Sequence, residues 1–127
     1  MISVIITAYN VEDFISDSIK SVLEQTYKNV EIIVVCDKPL DHTEEIVDEL
    51  AQKDDRIRVI KNEVNVGAGM ARKLGIEAAN GEFVTFLDGD DYFYGKTYLE
   101  ELRMNAEETG ADIVSGGVII MREDGSW

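Results

Sequence analysis

The chain has 127 residues, 45% of them hydrophobic, so it is long enough for one compact domain with a buried core and leaves little room for a second. Its 26 acidic residues outnumber its 12 basic ones, and the formal net charge is −14. This charge repels the phosphates of nucleic acids and anionic lipid surfaces, which argues against both as partners.

The cysteine count and the apolar runs indicate a soluble chain of a reducing compartment, and we expect it in the cytoplasm. The single cysteine, Cys36, excludes an intrachain disulfide and ends an apolar run, so a buried thiol is predicted. The first apolar run, MISVIITA, is too short for a secretion signal, and no stretch reaches the roughly 18 apolar residues of a membrane span. The single histidine, His42, excludes a multi-histidine metal site.

Short β-branched runs alternate with amphipathic segments along the chain, which is the pattern of βαβ units. Strands are predicted over residues 2–7, 30–36, 57–60, 82–87 and 112–120. The first, second and fourth are mostly apolar rather than alternating, as strands covered on both faces should be. We therefore expect an α/β fold, with an open, mainly parallel sheet and helices on both faces.

Four helices are predicted between these strands. The first is capped by Asn10 and buries the apolar face of residues 14–23, and the second begins near Thr43. The third, residues 67–79, has a face of small residues that begins at Ala68, and the fourth, residues 96–109, ends at Gly110.

An acidic cluster, TFLDGDDYF, follows the fourth strand. Asp88 and Asp90, separated by the flexible Gly89, can direct two carboxylates to one point, a ligand set that suits Mg²⁺ or Mn²⁺. Since ligands of such sheets bind at the carboxyl ends of the strands, the cluster would share one rim with Tyr9 and Asp37, which follow the first two strands. The alternative is a solvated turn in which an aspartate caps a helix.

The segment NVGAGMARKLG, residues 65–75, can bring backbone N–H groups and a cationic side chain near an anion. Gly67 and Gly69 open the helix, and Arg72 occupies the third glycine position of a dinucleotide fingerprint, which weakens a Rossmann dinucleotide interpretation. A glycine-rich helix start with a surface arginine remains the alternative. Tyr9 can stack on a planar base and Asp37 can accept a hydrogen bond from a ring N–H, although a residue of either kind at a strand end is more often an ordinary loop residue.

Taken in order, the segments SVIITAYN, EIIVVCD and NVGAGMARKLGIEAANGEFVTFLDGDD resemble glycosyltransferase family 2, the inverting enzymes with the Rossmann-like GT-A fold. The resemblance implies a nucleoside-diphosphate-sugar donor, a glycan or other hydroxyl acceptor, and a Mn²⁺ or Mg²⁺ cofactor. It also implies that Asp90 is the principal metal ligand, helped by Asp88. The donor-binding positions that it implies are Thr7, Ala8, Tyr9, Asn10, Asp37, Asn65, Gly67, Arg72, Asp88 and Gly89.

The same resemblance implies that residues 1–127 are the N-terminal part of a longer transferase, because the family's general base lies in a later acidic motif. We therefore expect the base beyond Trp127, and a chain that binds donor but transfers little or none. Two other functions remain open, a non-catalytic nucleotide-binding module and a receiver-like Mg²⁺-binding signalling domain. A sheet edge exposed by truncation would favour a homodimer, and a longer parent could associate with a membrane.

Overall fold

Residues 1–110 are described by a computed structural model and alternate strictly between strand and helix. The strands are β1 (Ile2–Ala8), β2 (Val30–Cys36), β3 (Ile57–Lys61) and β4 (Phe83–Asp88), each within one residue of its predicted bounds. The helices are α1 (Ile15–Leu23), α2 (Thr43–Lys53), α3 (Ala68–Ala78) and α4 (Tyr98–Thr109). The predicted strand over residues 112–120 lies outside the described residues. No helix within residues 1–110 combines the length and the apolar character needed to cross a bilayer.

The four strands form one parallel sheet in the order β3-β2-β1-β4. In the centre, Ile5 of β1 lies opposite Ile33 of β2 and Phe86 of β4. Receiver-like domains follow the flavodoxin-like order 2-1-3-4-5, in which β1 and β3 are neighbours. Here β2 separates β3 from β1, so the receiver-like alternative is wrong.

Helices cover both faces of the sheet, as predicted. Alternate residues of β1 point to opposite faces because side chains alternate along a strand. One face of the sheet packs against α1, α2 and α4, and the other packs against α3. The core on the first face includes Val4, Ile6, Ile19, Val47 and Leu99. The core on the second face includes Ile5, Ile33, Val35 and Ala71. Within α3 the predicted small-residue face is displaced, because Ala71 and Gly75 are buried whereas Ala68 is exposed.

The prediction that Asn10 caps α1 is wrong. The N-cap is Phe14, whose side chain is 54% exposed, and no side-chain hydrogen bond caps the helix. A turn precedes the helix instead, since the carbonyl of Val11 accepts the N–H groups of both Phe14 and Ile15. Asn10 has a φ of 52° and its Oδ1 accepts the N–H of Leu40 at 2.7 Å, so its side chain fixes the neighbouring loop.

The predicted burial of Cys36 is confirmed, because its side chain has no exposed surface. Burial, reinforced by the negative charges of Glu44 and Asp48, raises the pKa of the thiol to about 12. Since the thiolate is the reactive form, Cys36 is an inert core residue.

A carboxylate cluster at the carboxyl end of the sheet

The strand order places a crevice between β1 and β4. From β1 the chain adds β2 and β3 on one side and then crosses to add β4 on the other, so the direction of winding reverses between β1 and β4. Open α/β sheets bind ligands outside the carboxyl ends of the strands at such a reversal. Thr7, near the end of β1, lies opposite Asp88, the last residue of β4, so the acidic cluster stands at this crevice.

Three carboxylates converge there. One oxygen from each of Asp88, Asp90 and Asp91 lies within 4.8 Å of the other two. The N–H of Asp91 donates to the carbonyl of Asp88 at 2.9 Å, and the resulting turn folds the side chains together. Burial, followed by the charges of Asp90 and Asp88, raises the pKa of Asp91. Asp90 and Asp88 thus act on Asp91 as like charges within one turn.

Gly89 allows β4 to close against β1. Its N–H donates to the carbonyl of Thr7 at 2.8 Å, and a Cβ at this position would lie 2.7 Å from that oxygen and 2.9 Å from Val11 Cγ2. The prediction of a flexible glycine is therefore wrong, because the residue is buried and tightly packed. A larger residue would push the acidic turn away from the end of β1.

Asp88 has a cationic partner. Its Oδ1 accepts a hydrogen bond from Arg72 Nη2 at 3.0 Å and another from Thr7 Oγ1 at 3.3 Å. Within residues 1–110, neither Asp90 nor Asp91 forms an ion pair. A set of convergent carboxylate oxygens, two of them without a counter-charge, fits a hard divalent cation such as Mg²⁺ or Mn²⁺.

Asp37 is almost completely buried, with 4% of its surface exposed. Its Oδ1 accepts Asn62 Nδ2 at 2.9 Å and the N–H of Val66 at 2.8 Å, and its Oδ2 accepts the N–H of Gly67 at 2.9 Å. Burial alone would raise the pKa of Asp37, but these three hydrogen bonds outweigh it and hold the pKa below its ordinary value. Asn65 Nδ2 also donates to the Asp37 carbonyl, at 3.0 Å, so both predicted loop residues, Asn65 and Gly67, contact Asp37.

The other predicted residues lie where β1 ends. Ala8 is buried in the core and offers only its backbone carbonyl, which accepts the N–H of Asp37 at 3.0 Å. Tyr9 is 45% exposed at the rim. Its loop is tied to the β2–α2 loop by the bond between Asn10 and Leu40 and by one from the N–H of Val11 to Thr43 Oγ1, at 3.0 Å.

The sequence did not predict one residue that shapes this rim, Asn62, or one that holds the start of the neighbouring helix, Asp41. Asn62 supports Asp37, and Asp41 accepts the N–H of Thr43 at 2.9 Å at the start of α2 and the N–H of Glu12 at 3.2 Å. Asn and Asp next to strand or helix ends often bond to loop backbone, so their types and positions were an available signal.

Comparison with known proteins identifies the family of the chain. The family model "Glycosyl transferase family 2" matches residues 3–126. The uncharacterised glycosyltransferase EpsJ of Bacillus subtilis is 43% identical over 117 residues, covering 92% of this chain and 33% of EpsJ. WfaP of Escherichia coli, named as a UDP-Glc:α-D-GlcNAc-diphosphoundecaprenol β-1,3-glucosyltransferase, is 44% identical over 93 residues, covering 73% of this chain and 36% of WfaP.

Among solved structures, residues 1–349 of TarS from S. aureus, crystallised with UDP-GlcNAc, superpose with a TM-score of 0.80 at 31% identity. The match covers 94% of this chain and 37% of that one. The chain thus spans about a third of the length of EpsJ and WfaP. Since the family model covers almost all of its residues and the sheet matches a solved glycosyltransferase, the chain belongs to glycosyl transferase family 2 and has the GT-A fold.

Proposed function

We propose that this site binds a nucleoside-diphosphate sugar together with a divalent cation, and that the whole protein transfers the sugar to an acceptor hydroxyl with inversion. The observation that carries the proposal is the convergence of Asp88, Asp90 and Asp91 beside Arg72 at the β1–β4 crevice. WfaP is named for a UDP-Glc donor and TarS was crystallised with UDP-GlcNAc, which supports a nucleotide-sugar donor.

The charges of the site favour a divalent cation between the carboxylates and a diphosphate. A diphosphate beside three carboxylates is repelled strongly at short range, and Arg72 alone offsets one of those charges. From the resemblance to the family we take Asp90 as the principal cation ligand, with Asp88 as the second, and Asp91 as a residue that orients its neighbours. A Mn²⁺ or Mg²⁺ ion held by these carboxylates would supply charge stabilisation for the leaving diphosphate. Arg72, whose side chain is 40% exposed, is free to contact a phosphate while it stays near Asp88.

The nucleoside would lie across the ends of β1 and β2. Tyr9 presents an exposed ring that can stack on the base, and the loop that follows β3 walls the pocket through Asn65 and Gly67. Asp37 Oδ2 accepts a single hydrogen bond within the described residues and so keeps acceptor capacity for a ring N–H. Ala8, Asn10 and Gly89 shape the site through backbone position rather than by side-chain contact with the donor.

We also propose that donor binding and transfer are separable. Of the acidic side chains at the rim in residues 1–110, Asp88 and Asp90 are assigned to the cation, Asp91 shares their turn and Asp37 holds the β3–α3 loop. The base for the acceptor we place beyond Trp127, because in the family that the chain resembles it belongs to a later acidic motif. Hydrolysis of a nucleotide-sugar by the whole protein in the absence of an acceptor would exclude the non-catalytic alternative. The 127-residue chain itself is expected to bind the donor with little turnover.

The first test is a thermal-shift titration with UDP, GDP, CDP and dTDP, each with and without Mn²⁺. Stabilisation by one nucleotide only in the presence of the cation is expected, reaching about 2.7 kcal/mol at a hundredfold excess over Kd. Asp90→Asn should abolish the cation-dependent part. Asp55→Asn, which removes the same charge from the exposed turn before β3, should retain it. Unchanged cation-dependent stabilisation of the Asp90→Asn protein would refute the assignment.

A homodimer is proposed through the outer edge of β4. In the part of the chain that the structure describes, β4 pairs only with β1, and Val84 and Phe86 are 39% and 43% exposed. A groove of about 600 Å³ runs between this strand and α4, lined by Phe83, Leu99 and Leu102 among others. Sedimentation of Phe86→Lys against wild type tests the proposal, since a charge on the edge should leave only monomer if β4 pairs with a second copy.

A further inference from the structure

Asp37 connects three parts of the site without belonging to the carboxylate cluster. Its N–H donates to Ala8 at the end of β1, and its carboxylate holds the loop of residues 62–67 that leads into α3. We propose that Asp37 is a positioning residue for diphosphate binding, acting through this loop to hold Arg72 against Asp88. The inference rests on the proposed function in so far as the ligand is a diphosphate.

The loop depends on hydrogen bonds rather than on apolar packing. Residues 62–67 form neither helix nor strand, and the side chains of Val64 and Val66 are 64% and 39% exposed. Gly67 has a φ of 89°, in the region that favours glycine. Three hydrogen bonds to Asp37 therefore set the path of the loop. They come from the side chain of Asn62 and from the N–H groups of Val66 and Gly67.

The loop in turn sets the start of α3. Gly67 is the N-cap of the helix, and its carbonyl accepts the N–H of Ala71 at 3.0 Å. No side chain of the N-cap residue satisfies the first N–H groups, and Asp37, 30 positions earlier in sequence, accepts the N–H of Gly67 instead. A carboxylate is favourable at this positive end of a helix.

Arg72 follows Ala71, one turn into α3, and its Nη2 lies 3.0 Å from Asp88 Oδ1. A helix transmits a displacement of its first turn to its next one, because consecutive turns are joined by backbone hydrogen bonds. If Asp37 releases Gly67, Arg72 should therefore lose its fixed distance to Asp88. Asp37 itself does not contact the cluster, so it would act on the phosphates only through Arg72.

The test uses pyrophosphate with Mn²⁺, a probe that has no base and so cannot report a contact between Asp37 and a ring N–H. Asp37→Asn keeps the size of the side chain but turns an amide N–H₂ toward one of the loop donors. We expect it to weaken pyrophosphate binding to about the level of Arg72→Gln. The double variant should be no weaker than Arg72→Gln alone, because both changes remove one interaction.

Asp41→Asn is the matched control. Asp41 lies in the same β2–α2 loop and also holds backbone N–H groups, but it does so at the start of α2. Its substitution should lower the melting temperature and leave pyrophosphate binding unchanged. Equal pyrophosphate binding by wild type and Asp37→Asn, or additive losses in the double variant, would overturn the inference.

A second readout is independent of any ligand. In nitrogen-15 NMR spectra, the Arg72 Nε–H signal should shift or broaden in Asp37→Asn but not in Asp41→Asn, because only the first change frees α3. Should Asp37→Asn fail to fold, Asn62→Ala removes one of the three bonds and should move the signal in the same direction. An unmoved Arg72 signal would contradict the inference, whereas failure of the wild type to bind pyrophosphate or any nucleotide would contradict the proposed function alone.

Discussion

Glu31 is a second buried carboxylate, at the end of the sheet opposite the acidic cluster. It accepts hydrogen bonds from Ser3 Oγ and from the N–H of Asn80, both at 2.6 Å, and from Arg58 Nη1 at 2.9 Å. Burial alone would raise the pKa of Glu31, but the bonds from Ser3, Asn80 and Arg58 outweigh it, and the pKa lies below its ordinary value of 4.5. The side chain thus joins β1, β2, β3 and the turn before β4.

We predict that Glu31→Gln lowers the free energy of unfolding by about 1–3 kcal/mol at neutral pH, because the amide cannot accept from every donor that faces it. A carboxylate whose pKa is lowered in the folded state stabilises fully above the unfolded pKa, and this contribution is lost as the pH falls through the folded value. The difference between wild type and variant should therefore be constant above about pH 5 and shrink below pH 4.5. Urea unfolding across this range measures it.

Glu82→Gln is the control for this change. Glu82 lies in the same turn region, but its side chain is 81% exposed and its ion pair with the N-terminal amine is 3.8 Å long. Such a pair contributes little, so the variant should unfold within error of wild type. A loss in Glu82→Gln as large as that in Glu31→Gln would show that net charge, not the buried network, is being measured.

The sequence predicted the acidic residues of the site better than it predicted their partners. Asp88 and Asp90 could be found because they follow an apolar strand directly, and the rim to which they belong follows from the parallel order. The bond between Arg72 and Asp88 could not, because it depends on the rotation of α3 over the sheet. That rotation is a tertiary property, since α3 packs so closely on β1 that a Cβ at Gly75 would collide with Ile5.

At the level of the elements, α3 offers two glycines with opposite environments. A Cβ at Gly75 would collide with the side chain of Ile5 in the central strand, whereas a Cβ at Gly69 would meet nothing within 4 Å. We predict that Gly75→Ala destabilises the protein by about 1–3 kcal/mol, because overpacking at the helix–sheet contact exceeds the gain in helix propensity.

Gly69→Ala is the matched substitution in the same helix and should stabilise by up to about 1 kcal/mol, since only the propensity gain remains. Thermal unfolding of the two variants measures both changes. If Gly75→Ala were as stable as Gly69→Ala, α3 would not be in close contact with β1.

The bounds of the strands were predictable because their apolar runs end abruptly at polar residues. The start of α1 was not, because Asn10 has the side chain of a good N-cap but a left-handed φ of 52°, and the carbonyl of Val11 bonds to Phe14 and Ile15 before the helix begins. Local propensity identifies Asn10 as a residue that can cap a helix. In the structure its side chain instead accepts a hydrogen bond from the N–H of Leu40 in the neighbouring loop.

For the whole molecule, the charge of −14 sets how stability responds to salt. The ion pairs within residues 1–110 are mostly between exposed side chains, so salt screens them, but each such pair contributes little to stability in any case. The repulsion among the excess carboxylates acts over longer distances. It is therefore screened when the Debye length falls from about 30 Å at 0.01 M to about 10 Å at 0.1 M salt.

We therefore predict that NaCl raises the melting temperature over this range of ionic strength, equally in wild type, Asp90→Asn and Asp55→Asn. At constant ionic strength, replacing NaCl by MnCl₂ in the presence of the preferred nucleotide should give a further rise in wild type and Asp55→Asn but none in Asp90→Asn. The same further rise in all three proteins would mean that Mn²⁺ acts only on the diffuse negative field. A further rise in melting temperature confined to the two proteins that keep Asp90 would indicate a cation bound at the end of β4. General screening would act alike on Asp90→Asn and Asp55→Asn, because each protein has lost one carboxylate.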